Sequence, residues 1–315
     1  MKLFSITILL FLLITGDVKA QGCSDAGVCS VSGAAQPMTD STNTNHDVSA
    51  LFIFRTTTSV SSGEQGVLTL QEIPEVEYYI SKRIQLVTRI PYIINAGNLG
   101  TTSGIGDPYV GISAQVYSSE ENKVSISGGY KIPFGKTDIR DAGRSLPMPY
   151  QTGLGTSDGL FGAVWVKKRL RVAAVYQHVF KQQNRNEFLR SRWEGIKKAQ
   201  TYFESNELKR GNDLSLRFDY EFNWKKGKIY TGILSIYRLT EDKITDLSGE
   251  VNQVKGSGGL TLNITTSAFY QFTPNQRLTA QFGFPVVVRE VRPDGLTRSA
   301  VINLIYAIRI NKKSK

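Results

Sequence analysis

The chain has 315 residues, 40% hydrophobic and 21% charged, with a mean hydropathy of −0.20 and a formal charge of +11 from 38 basic and 27 acidic residues. That balance is too apolar and aromatic for a disordered chain and too polar for a bundle of membrane helices, each of which needs a run of about 20 apolar residues. Two cysteines and two histidines leave little for a multi-ligand zinc or haem site, and the glycines follow no G-x-y period, which excludes collagen.

Residues 1–20 read as a signal peptide. Lys2 supplies the positive start, Leu3 to Ile14 the apolar stretch, and Val18-Lys19-Ala20 resembles a small-residue cleavage site. A mature chain starting at Gln21 loses Lys2, Lys19 and Asp17 and keeps a net +10. A lipoprotein cut before Cys23 is the alternative, although Ala20-Gln21-Gly22 lacks the usual lipobox leucine. Residues 21–47 form a periplasmic N-terminal arm, rich in Ser, Thr, Asn and Gly after residue 30. Export to an oxidising compartment makes Cys23 and Cys29 a candidate local disulfide, with a redox or soft-metal pair as the sharper alternative. A loop that short removes little chain entropy, so the pair is at most a local clip.

From Val48 onward the pattern changes to short alternating runs. In Leu214 to Trp224, Leu214, Leu216, Phe218, Tyr220, Phe222 and Trp224 share one face and Ser215, Arg217, Asp219, Glu221 and Asn223 the other. A period of two marks a β-strand. This run is about twice the ordinary soluble strand and matches the roughly 9–11 residues a tilted strand needs to cross a bilayer. Segments 259–272, 277–290 and 299–310 alternate likewise. Twelve strands are predicted: 48–59, 67–80, 84–94, 108–118, 123–133, 158–167, 170–180, 213–224, 228–240, 259–272, 277–290 and 299–310.

The connections alternate in length. Segments 81–83, 119–122, 168–169, 225–227 and 273–276 are short, whereas 95–107, 134–157, 181–212 and 241–258 are long. Outer-membrane barrels have an even strand number, short periplasmic turns and longer external loops. The reading is all-β: a transmembrane antiparallel up-and-down β-barrel of about 12 strands over 48–310, followed by a basic tail at 311–315. A secreted soluble sandwich or propeller is the competing architecture, but it predicts short strands and no alternation of turn length.

Four glycine-rich segments carry a resemblance. Gly104-Ile-Gly-Asp-Pro-Tyr-Val-Gly-Ile-Ser resembles the G-x-G-D strand opening of the "MetA-pathway of phenol degradation" outer-membrane family. Lys131-Ile-Pro-Phe-Gly-Lys-Thr-Asp138 is similar to its K-x-P-x-G-x-x-D strand exit, and Thr152-Gly-Leu-Gly-Thr-Ser-Asp-Gly159 to its glycine-rich re-entry. Phe284 to Gly295 resembles its closing hairpin, and Cys23-Ser-Asp-Ala-Gly-Val-Cys29 the start of a variant in Bacteroidetes members. The resemblance spans 48–310 and implies an outer-membrane transport barrel of a Gram-negative cell, loosely related to barrels for fatty acids and aromatic hydrocarbons. The family name does not establish a phenol substrate. Many such barrels end on an aromatic residue that the barrel-assembly machinery reads, whereas Ile310 here is followed by Asn-Lys-Lys-Ser-Lys. The same glycines also have a plain structural use, in strand entry and close backbone approach. No helix or Walker lysine accompanies them to make a nucleotide cradle.

With apolar faces outward, Arg89, Arg217, Asp219, Glu221, Arg238, Gln281, Arg289, Asn303 and Arg309 point into the lumen. They fit either a salt-bridged filling or a basic constriction selecting anionic or polar solutes. Residues 186–208 read as a helix, with Leu189, Trp193, Ile196 and Phe203 on one face. That element would be a surface cap, a lid over the pore mouth, or a basic belt meeting lipopolysaccharide phosphates. Enzyme chemistry is not expected: a barrel phospholipase needs a histidine–serine pair, and only His46, in the linker, and His178 are present. No cofactor or metal is implied. The expected partners are outer-membrane lipid and lipopolysaccharide, a small-molecule solute and the barrel-assembly machinery. Nucleic acid is excluded because the basic residues are scattered over turns and loops. The expected function is a solute channel, possible substrates by resemblance being hydrophobic or aromatic. A non-transporting structural or surface barrel and a soluble secreted β-protein are the alternatives.

Overall fold

A computed structural model of the protein describes residues 50–224, 227–296 and 298–311. The signal peptide, the N-terminal arm with Cys23 and Cys29, and most of the basic tail lie outside these residues.

The strands follow the alternation closely. β1 (Ala50–Gly63) and β2 (Leu68–Tyr79) are joined by a tight turn in which Gln65 and Gly66 both have positive φ, at 52° and 75°. Paired positive φ angles match the twist of a hairpin, and glycine meets them without steric cost. β3 (Ile84–Arg89) continues into β4 (Tyr92–Gly97) across Ile90-Pro91, with β2 pairing both in one register. β5 (Gly100–Ile105) returns beside β4 and continues, across Gly106-Asp107-Pro108, into β6 (Tyr109–Ser118). The expected loop at 95–107 is therefore the end of a long hairpin. Proline cannot donate to the ladder, so it interrupts the strand without ending it.

β7 (Asn122–Lys131) follows, then the small hairpin of β8 (Arg140–Asp141) and β9 (Arg144–Ser145). Next come β10 (Thr156–Lys167), β11 (Leu170–Gln182), β12 (Asp213–Trp224) and β13 (Gly227–Arg238). A second small hairpin, β14 (Lys243–Thr245) with β15 (Val251–Gln253), precedes β16 (Gly259–Thr273), β17 (Gln276–Val287) and β18 (Arg298–Asn311). Every wall pairing is antiparallel between chain neighbours, and β18 returns to pair with β1. Counting β3–β4 and β5–β6 as one strand each gives a closed cylinder of twelve strands, above which β5 pairs with β4 alone. Closure matters in hydrocarbon, where an unpaired backbone group has no water to turn to.

The period of two becomes an inside and an outside. Along β12, Asp213, Ser215, Arg217, Asp219 and Glu221 are buried, whereas Leu214, Leu216, Phe218, Tyr220 and Phe222 are exposed. An apolar outer face and a polar inner one invert the soluble pattern and suit a lipid surround. The connections after β2, β6, β10, β12 and β16 are short and share one end; the longer segments gather at the other.

There the long segments interlock. Val67, Leu146, Tyr150, Phe188, Trp193, Ala199 and Tyr202 form one buried cluster, with Leu99, Ile139 and Ile196 against it. Met148, Leu154, Leu208 and Leu296 form another. Trp193 Nε1 donates to Ser145 O at 2.9 Å, and Tyr202 Oη donates to Asn98 Oδ1 at 2.7 Å. The helix expected at 186–208 does not form. Only two 3₁₀ turns occur there, Arg190–Trp193 and Ala199–Thr201. Asn186 Oδ1 takes the Phe188 amide, the Glu207 and Ser205 amides reach back to Asn186 O and Phe188 O, and Gly195 sits at φ +80°. Side-chain acceptors of this kind compete with helix, and the segment becomes a stapled loop. Leu189 and Trp193 are buried in it, Ile196 packs on the first cluster, and Phe203 lies under the Arg292 guanidinium at 5.4 Å.

Candidate functional site

The inner wall carries ionised side chains in three groups. The largest lies where the interlocked loops meet the barrel. Arg238, on β13, donates to Asp213 Oδ1 at 2.5 Å, to Asp294 Oδ2 at 2.9 Å and to Asp242. Arg289 reaches Asp294 at 3.0 Å and Ser257 O at 2.6 Å. Arg210 lies 3.3 Å from Asp213 and 3.7 Å from Asp294. Burial by itself raises the Asp294 carboxyl, but Arg289, Arg238 and Arg210 outweigh it and hold the group well below the usual carboxylate range. Asp242, next to that charge, is raised: its burial and the repulsion from Asp294 outweigh the arginines.

The second group joins three of the glycine-rich segments. Asp107 accepts from the Gly135 amide at 2.9 Å and the Leu154 amide at 3.1 Å. Lys131 Nζ lies 3.6 Å from Asp107, 2.8 Å from Asp158 and 3.1 Å from Thr156 Oγ1. Gly135 and Gly153 touch backbone to backbone, with no room for a Cβ on either. The short motifs that looked separate in sequence thus meet in one knot, and Gly135 and Gly153 are there because two segments of the chain cross at contact distance.

The third group lines the wall toward the short-turn end. Arg217 Nε bonds Asp219 at 2.8 Å, Lys228 Nζ meets Glu221 at 3.0 Å, and Tyr230 Oη donates to Glu221 at 2.8 Å. Between β1 and β2 Arg55 bridges Glu75, at 2.7 Å, and Glu77. Asn303 Nδ2 donates to Gln281 Oε1 at 3.3 Å on the β17–β18 wall, and Arg309 lies half-buried farther along β18. Arg89 stands apart. Its guanidinium lies 4.5 Å over the Tyr109 ring, and its Nε and Nη2 are buried without a partner.

Of the residues singled out in the sequence, Arg238 and Arg289 come together, as do Arg217 and Asp219; Arg309 and the Gln281–Asn303 pair stay apart from both. Sequence reasoning missed Asp213, although it is in phase with Ser215, Arg217 and Asp219 on the same inner face. It also missed Arg210, Asp242 and Asp294, which sit in loops where no periodicity operates. Cations and carboxylates alternate throughout, so most of the inner charge is paired. Among the described residues no cluster of His, Cys, Asp and Glu has the arrangement to hold a metal.

A cavity of about 70 Å³ lies beneath the interlocked loops. Arg89, Asn95, Asp107 and Lys131 line its polar side, and Ile73, Pro91, Met148 and Leu296 its apolar side.

No family model matches the chain, and no curated protein sequence matches it. Solved structures do. The chain is similar to a COG4313 outer membrane channel from Pseudomonas putida F1, at 15% identity and a TM-score of 0.56, covering 85% of this chain and 100% of that one. It is also similar, at lower scores, to a NanC porin (8% identity, TM-score 0.46, 82% of this chain and 100% of that one) and a KdgM porin (9%, 0.44, 82% and 99%). At 15% identity the likeness to the COG4313 channel speaks for the fold alone. A closed twelve-stranded barrel with an apolar outer face is an outer-membrane protein.

Proposed function

We propose that the chain is a channel for small solutes across the outer membrane, closed at its external mouth by the interlocked loops. The observation that carries this is the inner wall. A barrel that serves only as a scaffold gains nothing from ionised side chains running from Lys228 and Glu221 at one end to Arg238 and Asp294 at the other. Desolvating each costs free energy that apolar filling would save. A path for water and polar solutes, by contrast, needs groups that replace hydration. Membership of the "MetA-pathway of phenol degradation" family is part of the same proposal. It is supported by the meeting of Asp107, Lys131, Gly135, Gly153 and Asp158, residues drawn from three of the resembling motifs.

One observation favours a second reading, a barrel that conducts nothing. The loops that cover the mouth have buried clusters of their own around Trp193 and Met148. Planar-bilayer recording of the refolded full chain, with liposome swelling over a panel of sugars and organic acids, separates the two. Conductance steps in the wild type, or in a variant whose Asp294 contacts are removed, support the channel. Silence of both in both assays overturns it.

A further inference from the structure

Of the four charged residues that line the cavity, Arg89, Asp107, Lys131 and Asp294, Arg89 has no ion-pair partner among the described residues. Arg55, Lys131, Arg210, Arg217, Arg238 and Arg289 each lie within salt-bridge distance of a carboxylate. Arg89 is 8% exposed, and its Nε and Nη2 have no partner. Its register partner on β2, Glu75, is turned to Arg55 instead. The guanidinium lines the cavity beneath the loops, its plane supported by Tyr109. Tyr109 is itself fixed, because its ring occupies the space a Cβ would take at Gly111 and at Gly129. The wall strands therefore build a rigid seat for a guanidinium that is offered no acceptor.

The other charges facing the cavity are already engaged. Asp107 holds two backbone amides with Lys131 nearby, Lys131 holds Asp158, and Asp294 holds Arg238 and Arg289. Asn95 spends its amide on Gln151 O and its carbonyl on Thr69. What is left for a ligand is one positive fork facing apolar walls from Ile73, Pro91, Ile93, Met148, Leu154 and Leu296.

From this geometry we propose that the cavity is a binding site for a short monocarboxylate with a compact apolar tail, its carboxylate held by Arg89. A carboxylate supplies two coplanar oxygens that match the guanidinium edge, which is the bidentate pairing arginine forms best. Burial from water strengthens that pairing, and the apolar walls select the tail. A dianion would set its second charge against Asp107 and Asp294, and a cation would meet Arg89 itself. The proposal deepens the channel reading by naming the solute class, but binding at the site does not require conduction.

Equilibrium dialysis of labelled propionate against the refolded full chain in detergent micelles tests it, with butyrate, 1-propanol and propylamine as competitors; a cavity of about 70 Å³ sets that size. The expected result is saturable binding of one propionate per chain, displaced by butyrate and not by the alcohol or the amine. R89M is expected to lose affinity by roughly tenfold or more, and R89K to keep part of it. R89M places an apolar side chain of similar length in a buried site, so the barrel is expected to fold, which its heat-modifiable migration on a gel reports. Unchanged propionate affinity in folded R89M, or equal displacement by 1-propanol, overturns the proposal. Recording the same preparations in bilayers keeps the two readings apart. Arg89-dependent binding in a silent barrel supports the site and overturns the channel. Conduction without propionate binding overturns the site alone.

Discussion

Arg238 Nη2 donates to Asp294 Oδ2 at 2.9 Å, joining a wall strand to a loop 56 residues later. The same carboxylate takes Arg289, and Arg238 also holds Asp213 and Asp242, so one side chain from the β17–β18 loop fastens that loop to the wall. Removing a single member of a buried charge cluster leaves its partners uncompensated, which costs about 3–5 kcal/mol. Asp294→Asn is therefore expected to lower the unfolding midpoint in urea and to raise the frequency of conducting events in bilayers. Arg238→Gln with Asp294→Asn is expected to cost less than the sum of the two single changes, because the groups are in contact. Full additivity in that cycle would rule out a coupled latch.

Gly128 and Gly129 are neighbours on β7 with opposite demands. A Cβ on Gly129 would enter the Tyr109 ring, whereas one on Gly128 meets nothing within 4 Å. Gly129→Ala is expected to destabilise the barrel by about 1–3 kcal/mol, as overpacking does. Gly128→Ala is expected to be silent or slightly stabilising, since alanine suits a strand better than glycine. Urea midpoints for the two variants measure the contrast directly. Tyr109→Ala in the Gly129→Ala background is expected to recover part of the loss; no recovery would mean the ring is not the obstacle.

Phe218 lies mid-strand on the outer face and Phe222 nearer the short-turn end; they are 47% and 51% exposed. An arginine on the lipid face costs about 2–4 kcal/mol near the midplane and about 0–1 near the interface. Phe218→Arg is thus expected to destabilise the barrel in bilayers more than Phe222→Arg. In a detergent-free soluble fraction neither variant is expected to appear. Equal costs at the two positions would contradict the placement of β12 across the hydrocarbon.

The wall was legible because lipid outside and charge inside impose a strict period of two. Leu214 to Trp224 shows it undiluted, and β12 spans Asp213–Trp224. Gly97, Gly100, Gly104 and Gly106, with Pro108 after them, concealed the hairpin beyond the barrel rim, since proline and glycine mark a bend inside a strand as readily as its end. Trp193 and Ile196 imitated a helical stripe, yet their apolar character serves clusters whose other members, Tyr150 and Leu146, come from another loop. Pairing across loops leaves no local signature, so Asp294 and Arg210 could not be matched before the chain was folded. Arg89 was readable as inward from its phase with Val87 in β3, but its lack of a partner was not.

Glu64 links the β1–β2 turn to the loop that carries Asp294: Arg292 Nη2 lies 3.6 Å from Glu64 Oε1. Burial is the largest influence on this carboxyl and lifts it to about 7; Arg292 pulls against that and Asp294 adds to it. The folded protein therefore holds the Glu64 proton more tightly than the unfolded chain, whose glutamate titrates near its ordinary value of about 4.3. Stability from this group is fully present below that value and is lost as pH rises toward 7, because the native state binds more protons across that interval. Glu64→Gln keeps a hydrogen-bonding side chain and abolishes the titration. The difference in unfolding free energy between this variant and the wild type is expected to grow in the variant's favour from pH 4.5 to 7.5 and then level off. Urea titrations of the refolded barrel in one detergent at several pH values measure that difference. A difference that stays flat across the interval, or that grows in favour of the wild type, would show that Glu64 is already ionised without cost and that the turn is not tied to the loop through a neutral acid.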